Sequence, residues 1–232
     1  QPLDDGSILI QADRVVPHFS LTRISVYSEE GAPTDPGVTA NERVLENDLV
    51  RAELADDGTI ASFYDKQNQR EALSRPANQL RLFHDLPAAW EAWNLTDTSH
   101  QAGRPISGFE SWRVLESGPL RATIEIRRSF GESTIVQRYS LLAGSPRLDI
   151  ATEIDWHERR TLLRALFPLA IRATHATFET SYGAVKRSTQ RNTSWERAQY
   201  EVPGHRWVDL SEPEYGISLL NNGRYGHSAL GS

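Results

Sequence analysis

Hydrophobic and polar residues alternate with a period of two along much of this chain. Residues 121–129 read RATIEIRRS, with Ile124 and Ile126 on one face. Residues 133–142 read STIVQRYSLL and residues 147–156 read RLDIATEIDW, where Leu148, Ile150 and Ile154 share a face with Thr152 between them. Such alternation marks strands with one buried and one wet face. Gly131-Glu132 and Ala143-Gly144-Ser145-Pro146 lie between these runs, and Gly118-Pro119 separates off a further run at 112–116. Connections this short join antiparallel neighbours, so the pattern predicts a four-stranded meander. Upstream, the runs 49–54 and 59–64 flank Asp56-Asp57-Gly58, a strong hairpin signal. Residues 65–73 (DKQNQREAL) read as one helical turn or a polar loop, and 205–210 and 215–220 read as strands. The first forty residues differ: 7–12 and 19–27 read as short strands, and 28–40, rich in Gly, Pro and acidic residues, as a linker. The expectation is an all-β chain, with a short β lead-in over 1–40 and a large antiparallel β-sandwich over 41–232.

Composition narrows the function classes. With 38% hydrophobic and 24% charged residues the chain has the make-up of a folded domain, and its 232 residues are ample for a core. The formal charge of −6 argues against a nucleic-acid partner, which needs a basic face. Only Lys66 and Lys186 are lysine among the 25 basic residues, and the arginines are spread along the whole chain rather than gathered at one site. No apolar run approaches the roughly 20 residues of a membrane span, so no membrane partner is expected. The start, QPLDDGSILI, lacks the basic-then-apolar order of a signal peptide. Cysteine is absent, which removes disulfides and a thiol nucleophile and favours a reducing, cytoplasmic (bacterial) setting. Methionine is absent too, so the chain reads as a piece of a longer protein, cut near its C-terminal end as well.

Two regions break the strand grammar. Residues 83–108 (FHDLPAAWEAWNLTDTSHQAGRPISG) are long for a loop and carry Trp90 and Trp93 with Glu91 between them. Indole faces suit the C–H faces of a sugar, and carboxylates bind its hydroxyls. The same tryptophans would equally plug the end of a sandwich. Residues 183–203 (GAVKRSTQRNTSWERAQYEVP) are locally basic and bring Arg191, Asn192 and Trp195 together in sequence. They read either as a ligand-contacting loop or as a crossover held by Arg–Glu pairs. His157-Glu158 reads as a solvated strand end. The seven histidines show no HExxH spacing, and there is no GxSxG and no phosphate-binding glycine loop. Asn94-Leu-Thr and Asn192-Thr-Ser match a glycosylation pattern short enough to arise by chance.

Longer motifs carry a family likeness. Arg191-Asn-Thr-Ser-Trp195, Glu201-Val-Pro203, His205-Arg-Trp207, Asp209-Leu-Ser-Glu212, Tyr215-Gly216, Leu219-Leu-Asn221 and Tyr225-Gly226 together resemble the C-terminal β region of glycoside hydrolase family 38, the α-mannosidases. Leu45-Glu-Asn47, Asp57-Gly-Thr-Ile60 and Ser62-Phe-Tyr-Asp-Lys66 resemble its first strands, and Trp90-Glu-Ala-Trp93 its WDAW-type loop, with Glu91 and Asn94 where Asp is usual. The resemblance implies a galactose-mutarotase-like supersandwich. It also implies a parent enzyme that hydrolyses α-mannosides with retention, using a zinc ion held by an N-terminal catalytic domain followed by a helical bundle. No carboxylate here lies in a motif resembling the nucleophile's, so the catalytic and metal assignments within this chain are empty. Trp90, Glu91, Trp93, Arg191, Asn192, Trp195, His205 and Asp209 become candidates for contact with mannose-containing glycans or with the catalytic and helical domains of the same protein. A carbohydrate-binding module acting alone is the competing expectation.

Overall fold

A computed structural model describes residues 1–10, 37–90, 93–95, 97–98 and 101–231. These form two compact units, Gln1–Arg70 with Ser107–His157 and Glu71–Ile106 with Glu158–Ser232. The all-β expectation holds, and every strand pair with a defined register is antiparallel.

The first unit pairs two sheets. One runs in sequence order through β1 (Val38–Asn41), β2 (Val44–Asn47), β3 (Val50–Leu54), β4 (Ile60–Asp65) and β5 (Arg70–Glu71). The other is the expected meander, ordered β11 (Leu148–Asp155), β10 (Ser133–Leu142), β9 (Arg121–Phe130), β8 (Phe109–Ser117). Alternation does what it predicts in β10: Ile135, Gln137, Tyr139 and Leu141 are buried while their neighbours are not. Val38, Leu45, Ala52 and Leu54 of the first sheet and Ile124 and Ile126 of the second complete this core. The outward face of the meander carries a row of ion pairs instead. Arg113 reaches Glu125 (3.1 Å), Glu125 reaches Arg138 (2.8 Å), and Arg138 reaches Glu153 (2.6 Å), so the row crosses all four strands.

Polar side chains fasten the two sheets at a few points. Asn47, 5% exposed, donates from Nδ2 to the carbonyls of Leu142 and Ser145 (2.8 Å each). Its Oδ1 accepts from the backbone of Leu49 (2.9 Å) and Val50 (2.8 Å). The β3–β4 hairpin turns at Gly58 (φ 76°), a left-handed conformation that disfavours any side chain. The turn's carbonyls are taken from the other sheet, Gly58 O by Tyr139 Oη (3.0 Å) and Asp57 O by the buried Arg128 (3.0 Å).

Local departures have local causes. Residues 65–73 form a polar turn and the short β5 rather than a helical turn, because the Asp65 carboxylate accepts from both the backbone (3.0 Å) and side chain (2.8 Å) of Asn68. In the described part of the expected strand at 7–12, residues 7–10, Ile8 makes an isolated bridge to Pro2. The expected strand at 19–27 and most of the linker at 28–40 lie outside the described residues.

The second unit contains a three-stranded sheet, ordered β12 (Thr161–Leu166), β6 (Gln79–His84), β7 (Arg104–Pro105). It also contains a four-stranded sheet, ordered β14 (Gly183–Ser188), β13 (His175–Thr180), β16 (Trp207–Ser211), β17 (Gly216–Leu220). A two-stranded ladder of β15 (Val202–Pro203) and β18 (Gly226–His227) accompanies them, with one short helix, α1 (Ser194–Ala198). Phe178 and Ala176 on β13 are each 1% exposed. Against Phe178 lie the His227 ring of the ladder, 6.1 Å between centroids, and the Arg187 guanidinium, 4.8 Å from the ring centroid. The Phe178 side of the four-stranded sheet is thereby covered at its centre.

Candidate functional site

The two aromatic segments singled out in the sequence both fall in the second unit. Trp90 adopts φ 62°, rare for a bulky side chain and a sign that its surroundings fix the turn. The turn closes on its carbonyl, which accepts from the backbone of Trp93 (2.9 Å) and Asn94 (3.0 Å). Asn94 Nδ2 adds a bond to Ala89 O (3.1 Å). The result presents Trp90 and Trp93 to solvent, 74% and 88% exposed, so these indoles do not plug a core. Glu91 lies outside the described residues.

The second segment is organised by a capping box. Thr193 caps α1, its Oγ1 accepting from Glu196 N (3.2 Å), and Glu196 Oε2 accepts in return from Thr193 N (2.9 Å). Asn192 N donates to the same oxygen (2.8 Å), while Asn192 Nδ2 donates to Gln190 Oε1 (2.9 Å). These bonds, the backbone one from Thr193 foremost, hold the Glu196 carboxyl below its usual range. Trp195, on the first turn, is 81% exposed. Arg191 is not a free cation reaching outward. Its guanidinium donates to Tyr200 O (3.2 Å) and closes the segment on itself. Tyr200 Oη in turn donates to Leu95 O (2.9 Å), which ties the Trp195 segment to the Trp90–Trp93 segment.

Asp209 stands in β16 of the four-stranded sheet, and His205 lies two residues before that strand. His205 N donates to Glu179 O (3.0 Å), and its ring leans on Tyr225, 5.5 Å between centroids. Asp209 accepts from Ser211 Oγ (2.6 Å) and Ser218 Oγ (2.9 Å). Among the described residues no hydrogen bond or ion pair joins either one to the tryptophan segments. The seven described candidates therefore divide into a tryptophan group and a sheet group.

A polar cluster that no sequence motif singles out lies nearby in the second unit. Glu201, just before β15, pairs with Arg164 of β12, whose guanidinium stands 5.2 Å from the Phe83 ring centroid. Burial pushes the Glu201 carboxyl up, the neighbouring Asp85 charge adds to this, and Arg164 opposes it. Gly226 fits against the Glu201 carboxylate because it has no side chain. Among the described residues neither the buried Asp85 Oδ1 nor the buried His227 Nε2 has a hydrogen-bond partner. The sequence signals are thin: Glu201 stands only within a short family motif, and nothing local announces a partner 37 residues away.

His227 gives the unit an acid sensitivity. Burial and then the Arg187 charge hold its imidazole below the ordinary value of 6.5. The unfolded chain takes up a proton near that value while the folded chain resists, so stability drains away as pH falls through it. The raised Glu201 carboxyl acts in the opposite sense, favouring the folded state on acidification. His227→Asn is expected to flatten the loss of urea resistance between about pH 7 and 5. An unchanged slope in that variant would assign the sensitivity to other groups.

Among the described residues no three His, Asp or Glu side chains converge to hold a metal ion, so they offer no ligand set that fits zinc. No described helix is long and apolar enough to cross a membrane.

Comparison with known proteins adds to this geometry. The family profile described as Glycosyl hydrolases family 38 C-terminal domain matches residues 45–232. Alpha-mannosidase 2C1 of Mus musculus is 37% identical over 203 residues, covering 86% of this chain and 19% of that protein. Alpha-mannosidase G of Dictyostelium discoideum is 34% identical over 197 residues, covering 81% of this chain and 18% of that protein. The crystal structure of an alpha-mannosidase from Enterococcus faecalis V583 superposes with a TM-score of 0.74 at 15% identity, over 88% of this chain and 26% of that one. The chain thus spans about a fifth of the length of these curated relatives. It belongs to glycosyl hydrolase family 38, and residues 45–232 are the C-terminal domain of that family.

Proposed function

We propose that this chain serves an α-mannosidase as a non-catalytic β domain. In this reading it packs on the catalytic and helical domains of the parent enzyme, helps wall the mannoside cleft, and cleaves nothing by itself. One observation carries the reading. Three indoles, 74%, 88% and 81% exposed, sit on two segments joined by the Tyr200–Leu95 bond. Exposed tryptophans gathered on tied segments mark a contact surface, because indole burial dominates many interfaces. The parent's retaining chemistry needs a carboxylate nucleophile and a separate acid/base, with zinc held by the catalytic domain. No carboxylate described here is assigned either role.

The test is an assay with a chromogenic α-mannoside and added zinc. The expected outcome is no turnover by the 232-residue chain. Turnover that follows the protein through repurification would overturn the reading. A positive arm adds the parent's catalytic and helical region in trans. Trp90→Ala with Trp195→Ala should then weaken association at least tenfold, whereas equal association would remove the indoles from the contact.

A further inference from the structure

The four-stranded sheet has a second face, opposite Phe178, and its register shows what that face carries. Side chains alternate across a sheet, so residues aligned in register share a face. One row is Lys186, Thr177, Asp209 and Ser218 across β14, β13, β16 and β17. Farther along the same face lies a second row: Glu179, two residues after Thr177, is opposite Ala184, and Trp207, two residues before Asp209, is opposite Leu220. Trp207, Asp209, Thr177 and Glu179 are half-buried, and Lys186, Ser218 and Leu220 are exposed.

We propose that this face is a binding surface for a neutral oligosaccharide, with Trp207 as the stacking plate. Three features select that ligand. The Asp209 carboxylate is held by two hydroxyls from its own and the adjacent strand, which fixes an acceptor beside the indole. Glu179 Oε2 is occupied by Arg206 N (2.7 Å), leaving Oε1 as a second acceptor, while Lys186 supplies a donor that makes no ion pair among the described residues. Acceptors, a donor and one flat apolar plate match the hydroxyl rim and C–H face of a pyranose. Trp207 and Leu220 are the only large apolar side chains in the two rows, too few to seat a second sheet or a second copy of the chain. The first row crosses three inter-strand steps, about 14 Å, enough for roughly two or three sugar rings.

The choice of probe rests on the α-mannosidase reading, but the experiment does not depend on turnover. Linear α-linked mannotriose is titrated into the 232-residue chain by calorimetry, with indole fluorescence followed in parallel. Binding with Kd on the order of 1 mM is expected. Trp207→Ala should weaken it at least tenfold, Trp207→Phe less, and Lys186→Ala, at an exposed position that tolerates truncation, several-fold. No binding at about ten times that concentration overturns the proposal. So does binding unchanged in Trp207→Ala and Lys186→Ala, or binding lost instead in Trp90→Ala or Trp195→Ala. Binding without turnover leaves the non-catalytic reading intact, and turnover without binding at Trp207 removes this proposal and that reading separately.

Discussion

Phe178→Ala is expected to lower the stability of the second unit by about 3–5 kcal/mol, the range for emptying a buried aromatic site. Phe178 is 1% exposed and has no slack around it. The Arg187 guanidinium stands 4.8 Å from its ring centroid, the His227 ring 6.1 Å away, and Gly204 approaches so closely that a Cβ there would lie 3.1 Å from the Phe178 ring. Truncation removes the apolar surface and leaves a cavity beside a guanidinium that is itself costly to desolvate. Burial already holds the Arg187 pKa below its ordinary value. Urea unfolding monitored by circular dichroism reads the loss directly. Val185→Ala is the control, since Val185 pairs with Phe178 across β13–β14 but is 36% exposed. It should cost under about 1 kcal/mol. Equal losses in the two variants would mean that Phe178 is not the centre of this core.

Asn47→Ala is expected to cost the first unit about 3–4 kcal/mol without removing any apolar surface, at roughly 1 kcal/mol for each hydrogen bond lost. The carboxamide makes four hydrogen bonds, two as donor and two as acceptor, and ties β10's end to the turn between β2 and β3. Deleting it leaves two carbonyls and two amides without their partner in a site where water enters poorly. The backbone amides of Leu49 and Val50 should lose hydrogen-exchange protection in the same variant, beyond what global destabilisation produces. A change below about 1 kcal/mol with protection intact would show that neighbouring groups or water replace the side chain.

Much of the first unit is legible in the sequence because its signals are local. In the meander, strict alternation and short glycine turns fall within each strand's own sequence, and β8 to β11 form where the pattern puts them. Helix α1 escapes the pattern although Thr193-Ser-Trp-Glu196 spells its capping box, because five residues are too few to show a helical period. The tryptophans at 90 and 93 are ambiguous for a deeper reason. An indole suits a core and a contact surface equally, and only the turn around Trp90 decides which way it points. The raised carboxyl of Glu201 is not legible at all. It depends on burial that outweighs the Arg164 pairing, and on Asp85 following β6, an arrangement that exists only once the three-stranded sheet has formed. Likewise Asp209 belongs to a recognisable motif, but its line-up with Lys186 and Ser218 is a property of register rather than of sequence spacing.

The ion row on the outer face of the meander acts as a proofreading device for assembly. Slipping β10 by one residue would carry Arg138 inward and Tyr139 outward, since neighbouring side chains point to opposite faces. The same slip would strand Glu125 and Glu153, which both close on Arg138. Each exposed pair adds little to stability by itself. Their alignment instead penalises a one-residue slip twice, through a buried charge and a broken row, and a two-residue slip once, through the broken row. A sheet whose two central strands have ten residues each, and whose alternation alone would tolerate a shift by two, is thereby left with one arrangement that satisfies both of its faces.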